Sequence, residues 1–175
     1  MPAFGRKARE AVAGKDEQDQ DMTYTITGLD PLPFAHLVGL TDNQLAAHGA
    51  VRMIADASPG YPCRVTLDDA APGEALLLVN HVSHDSGPYH ASHAIFVREG
   101  VSEVAHYIDR VPPALDRRIL SVRSFDAKGM ITDAALVQPG EADTAFRRML
   151  ADAAVDHLDA HNATRGCFAA RVERG

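Results

Sequence analysis

The segment Ile119-Leu120-Ser121-Val122-Arg123-Ser124-Phe125 alternates in character residue by residue, and Met130 to Val137 answers it across Asp126-Ala127-Lys128-Gly129. Period-two alternation sends successive side chains to opposite faces of a strand. The intervening residues suit a tight turn, with Gly129 free to take a positive φ. An antiparallel hairpin is therefore expected, and it constrains the chain most: two strands alone are marginal, so others must pair with them and something must cover their apolar face.

Further strands are expected on both sides. Thr23-Tyr24-Thr25-Ile26-Thr27 sets threonine against larger residues, as a strand with one wet face does. Cys63 to Leu67 reads as a strand with Val65 and Leu67 on the face of Cys63. The apolar run in Ala75 to Val82 reads as a buried strand, Ser83 to Ser92 as a polar loop around Gly87-Pro88, and Ala94 to Arg98 as a strand again. Val104 to Tyr107 is a candidate short edge strand. Val155 to Ala160 and Phe168 to Val172 flank a loop over His161 to Gly166.

Two principal helices are expected. Thr41-Asp42-Asn43-Gln44 has capping-box chemistry, and Leu45, His48, Val51, Arg52 and Ile54 follow near helical spacing until Ser58-Pro59-Gly60. Gly49 should weaken that helix only slightly. Glu141 to Ala151 places Ala145, Phe146, Met149 and Leu150 on one side. With few βαβ crossovers available, the order implies an α+β fold: one domain over residues 22–174, its sheet mainly antiparallel. Residues 1–21 end in Gly-Lys-Asp-Glu-Gln-Asp-Gln-Asp, which has nothing to bury, so they are expected to form a disordered tail.

A formal charge of −7 disfavours a nucleic-acid binder, which needs a basic face. No apolar run reaches the length of a membrane span. The charged N-terminus lacks an apolar signal core, so a cytoplasmic setting with reduced thiols is expected. If Cys63 and Cys167 did pair, they would close a loop of roughly 100 residues. The oligomeric state is left open.

Three residue types could carry chemistry. Cys63 lies beside Arg64, and Cys167 follows His161, Asn162 and Arg165 within one loop. A thiol becomes nucleophilic as thiolate, which a nearby cation or imidazole favours. Cys167 as nucleophile, His161 as base and Arg165 or Asn162 as anion stabiliser would make an active site; two small buried core side chains are the plainer alternative. His81, His84, His90 and His93 follow no ligand spacing with a mechanism behind it; His84 and His93 would be the best metal ligands among them, and no cofactor is expected. Arg64, Arg98, Arg118, Arg123, Arg165 and Arg171, on or beside expected strands, need either internal carboxylates or an anionic ligand. Asp68-Asp69, at an expected turn, reads as solvated.

Four blocks carry a family likeness: Pro59-Gly60-Tyr61-Pro62-Cys63-Arg64, Ser92-His93-Ala94-Ile95-Phe96-Val97-Arg98-Glu99, Arg123 to Met130, and His161-Asn162-Ala163 through Arg165-Gly166-Cys167-Phe168 to Val172. In this order they resemble the bacterial family of unknown function DUF1203, over roughly residues 22 to 174. The resemblance implies that both thiols, the His-Asn-Ala and Gly-Cys-Phe blocks and His93 belong to the family pattern. It also implies arginine at the place of His90 and often an aromatic at that of His81, which lowers the expectation of a four-histidine metal site. It brings no activity.

The expectation is thus one pocket lined by the loops around Cys63, His93 and His161 to Cys167, with Arg64, Arg123 and Asn162 as binding residues. The leading reading is a domain that binds a small anionic molecule. A thiol-dependent enzyme is the alternative, and a structural or protein-interaction domain is the third.

Overall fold

The computed structural model describes residues 22–175; the tail expected over residues 1–21 lies outside them. In chain order the strands are β1 (Tyr24–Thr27), β2 (Val51–Ile54), β3 (Ala75–His84), β4 (Ala91–Arg98), β5 (His106–Ile108), β6 (Leu120–Asp126), β7 (Ile131–Val137), β8 (Val155–Asn162) and β9 (Phe168–Arg174). The α-helices are α1 (Asp42–Ala47), α2 (Pro113–Asp116) and α3 (Ala142–Leu150), with a 3-10 segment over Leu32–Leu37. A six-stranded sheet runs β5-β1-β9-β8-β6-β7, and a three-stranded sheet runs β2-β3-β4. Every pair of named strands is antiparallel, so the chain is α+β and mostly antiparallel sheet.

The expected pair of principal helices is corrected to one. α3 is nine residues long and buries Ala142, Ala145, Phe146, Met149 and Leu150, spaced as one helical face. α1 has the capping box foreseen at Thr41 and Gln44 but stops at Ala47. Gly49 takes φ 68° just beyond it, where a left-handed residue ends a helix cheaply, and the amides of Gly49 and Ala50 return to Ala46 and Leu45. Val51 to Ile54 then pair with β3 as a strand. Apolar residues at near-helical spacing misled the reading there, because β-branched Val51 and Ile54 follow the stop.

The six-stranded sheet has two unlike faces. On β8, Leu158 and Ala160 point into a core with Tyr24, Val122, Phe146, Leu150 and Val172. Tyr24 meets Phe146 edge-on, ring centroids 5.8 Å apart, and donates its hydroxyl to Asp143 at 2.6 Å. Strand alternation turns His157, Asp159 and His161 the other way. Opposite them in register stand Phe125, Arg123 and Ser121 of β6, and Arg171 of β9 faces Asp159. This polar face looks toward the three-stranded sheet: His84 of β3 bonds Asp159, and His93 of β4 lies with its ring 5.2 Å from that of His161.

Two more expectations are corrected. The loop expected over Ser83 to Ser92 is shorter, Asp85 to His90, since β3 and β4 pair out to His84 and Ala91. Cys63 to Leu67 is a turn with isolated bridges: the amides of Cys63 and Leu67 bond Asp68 and Cys63 carbonyls, and Leu67 takes φ 53°. This turn is clamped between the sheets. Leu29 donates to the Arg64 carbonyl at 2.8 Å, Arg64 to that of Phe96 at 2.9 Å, and Ala105 to that of Val65 at 3.0 Å. A Cβ on Gly28 would lie 1.8 Å from the Val65 oxygen, so only glycine lets β1 run on past the turn. Cys63, Val65, Leu77, Val79, Ile95 and Val97 form a second core beneath α1.

Candidate functional site

The β8–β9 connection is short and internally bonded. The Asn162 amide donates to the Cys167 carbonyl at 3.0 Å, and the Gly166 amide to the Asn162 carbonyl at 2.7 Å. Gly166 at φ 71° makes the return possible. The loop thereby brings Cys167 back beside Asn162, whose side-chain amide donates to Sγ at 3.4 Å. From the clamped turn, Arg64 enters beneath the loop. It is only 3% exposed, and it donates through Nε to the Phe168 carbonyl at 2.8 Å, through Nη1 to the Pro62 carbonyl, and through Nη2 to Cys167 Sγ at 3.3 Å. Burial pushes this guanidinium below its ordinary value, and the two sulfurs oppose that push. The Cys167 sulfur thus receives two donors, one of them a cation.

A cleft of about 710 Å³ opens above this sulfur, between the loop and the three-stranded sheet. Of the residues singled out from sequence, Arg64, His93, Asn162, Arg165 and Cys167 line it. Arg118, one of the arginines beside an expected strand, lines it too. Arg118 is held by Asp69, with Nη2 2.5 Å from Oδ1 and Nη1 3.0 Å from Oδ2, and by the Ala114 carbonyl. Asp69, read as a solvated turn residue, is buried. Burial alone would raise its pKa, but the Arg118 bonds and the Gly60 amide outweigh it and hold the carboxyl below its usual range. Arg165 is exposed and makes no ion pair among the described residues.

Cys63, His161 and Arg123 are not among the lining residues. Cys63 is 1% exposed and accepts from the Arg98 amide at 3.3 Å; both thiols are free. His161 is 2% exposed, its Nδ1 has no hydrogen-bond partner among the described residues, and it lies against His93 and Phe168. Burial first, and then the charge of Arg123, bring it down to about 4. His93 is lowered by the same two causes, and its Nε2 bonds Ser83 Oγ at 3.1 Å. His81 is lowered too, first by burial and then by His93.

Of His84 and His93, the histidines preferred as metal ligands from sequence, His84 bonds Asp159 and His93 bonds Ser83. The described group able to hold a metal ion is His84, His157 and Asp159. His157 and Asp159 went unnoticed in the sequence, although His157, Asp159 and His161 alternate with buried Leu158 and Ala160 on one strand. That pattern marks a strand whose second face is polar for a reason.

No described helix is long and apolar enough to cross a membrane. No curated protein and no solved structure matches the chain. The DUF1203 family profile, described as a protein of unknown function, matches residues 60–174. That span runs from the turn before Arg64 to the end of β9 and contains every wall of the cleft; the chain belongs to the DUF1203 family.

Proposed function

We propose that this domain binds a small anionic molecule in the cleft above Cys167. One observation carries the reading: three arginines and a histidine line the cleft and no carboxylate does, in a chain whose formal charge is −7. Arg64 is bonded to carbonyls and to Cys167, with no carboxylate, so it supplies positive potential without reaching out, while the charge of Arg118 is largely offset by Asp69. Arg165, on the rim, is the guanidinium available to grip a carboxylate or phosphate. The Asn162 amide adds a neutral donor. Apolar Leu78, Phe96 and Ile119 line the same space and suit a ligand with an apolar portion.

Thermal unfolding with a panel of phosphates, sulfate and small carboxylates tests the reading. A ligand at 100 times its Kd should stabilise the fold by about 2.7 kcal/mol. Arg165→Gln should abolish the rise in Tm while leaving the unliganded Tm nearly unchanged. A panel in which no anion raises Tm, or an unchanged rise in Arg165→Gln, would count against it.

The two donors on the Cys167 sulfur favour a second reading, a thiol-dependent reaction in the same cleft. His161 lies behind His93 in that case, and His93 is the imidazole facing the cleft.

A further inference from the structure

We infer a divalent-cation site at His84, His157 and Asp159, in a second cleft separate from the one above Cys167. This cleft, of about 410 Å³, opens between the end of β3, the β6–β7 turn and the start of β8. Asp85, Asp126 and Asp156 line it, with His84, His157 and Arg171. Asp159 lies fully buried beneath them. Four carboxylates therefore face one guanidinium, the reverse of the first cleft, and such a field attracts cations.

The bonding around His157 points the same way. Its Nδ1–H donates to Asp156 Oδ2 at 2.9 Å. A neutral imidazole with Nδ1 protonated carries its lone pair on Nε2. That Nε2 is buried, has no hydrogen-bond partner among the described residues, and lies 4.0 Å from Asp159 Oδ1. Two acceptors thus face each other across a gap wider than a hydrogen bond, an arrangement a cation between them would satisfy. A carboxylate bonded to the far nitrogen of a ligating imidazole is the usual outer partner of a metal-bound histidine. The ring is further fixed by stacking on Phe125, with centroids 5.2 Å apart and planes 11° apart.

His84 and Asp159 complete the set. His84 Nε2 donates to Asp159 Oδ2 at 2.7 Å, and one ligand atom from each of the three residues lies within 4.8 Å of the others. Metal–ligand bonds of about 2.0–2.2 Å then need shifts of well under an ångström per side chain. To ligate, His84 gives up the Nε2 proton and carries one on Nδ1. Arg171 holds the other side of Asp159 through Nε at 2.8 Å and Nη2 at 3.1 Å, and it keeps the carboxylate ionised and oriented. Two imidazoles and one carboxylate suit zinc or a neighbouring first-row divalent ion rather than calcium or magnesium.

The test is a titration of the full chain, purified without an affinity tag and stripped with chelator, using cobalt(II) followed by visible absorption and zinc(II) followed by calorimetry. One equivalent should bind. His157→Phe keeps the stack on Phe125 but removes both nitrogens, and His84→Gln removes the other imidazole; each should abolish stoichiometric binding. Asp156→Asn should weaken it about ten- to a hundredfold. Cys167→Ser should leave it unchanged. No bound equivalent in the wild type, or equal binding in His157→Phe and His84→Gln with their folds intact by circular dichroism, overturns the site.

Discussion

Single residues in this protein are defined by what lies within a few ångströms, and the two thiols show the difference. Cys63 and Cys167 each have an arginine nearby in sequence. Only Cys167 accepts from a guanidinium; Cys63, in a hydrocarbon core, accepts from a backbone amide. Native-state treatment with iodoacetamide should therefore label Cys167 alone, with Cys63 reacting only after unfolding; peptide mass spectrometry after a timed quench reads this directly, and equal labelling would contradict the burial described. Arg64 ties the clamped turn to the start of β9. Arg64→Met should cost about 3 kcal/mol or more, because Phe168 and Pro62 carbonyls lose a charged donor inside the protein. A urea midpoint within error of the wild type would refute that role.

The elements explain which parts of the site could be read in advance. The β6–β7 hairpin, the capping box at Thr41 and the amphipathic face of α3 are local patterns, and the folded chain has them where the pattern places them. The turn at Cys63 to Leu67 is not local. Its backbone groups bond to Leu29, to Phe96 of β4 and to Ala105, so an alternating apolar stretch gave no sign that it would leave the sheet. The pairing of Arg118 with Asp69 was not legible for the same reason: the two lie 49 residues apart, and neither is unusual where it stands. Asn162, Arg165 and Cys167 were legible because one tight loop holds all three, whereas the placing of His161 behind His93 depends on how the two sheets face each other. The clamped turn also yields a sharp expectation. Gly28→Ala forces a Cβ onto the Val65 carbonyl oxygen, so the turn must move off the segment that follows β1. It should destabilise by about 3 kcal/mol or more, and equilibrium denaturation showing less than about 1 kcal/mol would mean the two backbones are not packed so closely.

At the scale of the whole molecule, the two sheets meet across imidazoles. His81, His93 and His161 are all lowered from their ordinary value, burial being the largest cause in each. His161 is faced by Arg123 of β6, by His93 of β4, and by Asp159 of its own strand, which opposes the shift. A lowered folded-state pKa means the unfolded chain binds the proton first. Stability should thus be full above the unfolded value of about 6.5 and should fall as pH drops, His161 contributing down to about 4. The shift at His161 corresponds to roughly 3 kcal/mol. Below that window, the lowered carboxyls of Asp69 and Asp159 add further loss as they are protonated. Urea midpoints at intervals from pH 7.5 to 4 should show this slope, reduced in His161→Gln; an equal slope in the variant would contradict the assignment. The same juxtaposition of sheets leaves an arginine-lined cleft above the Cys167 sulfur, and that is the observation on which the functional reading stands. It is tested most directly by the alkylation rate of Cys167 with uncharged iodoacetamide, measured against rising concentrations of the anion that most raises Tm. The rate should fall to a saturating minimum in the wild type and stay flat in Arg165→Gln, whereas a wild-type rate indifferent to the anion would contradict the account.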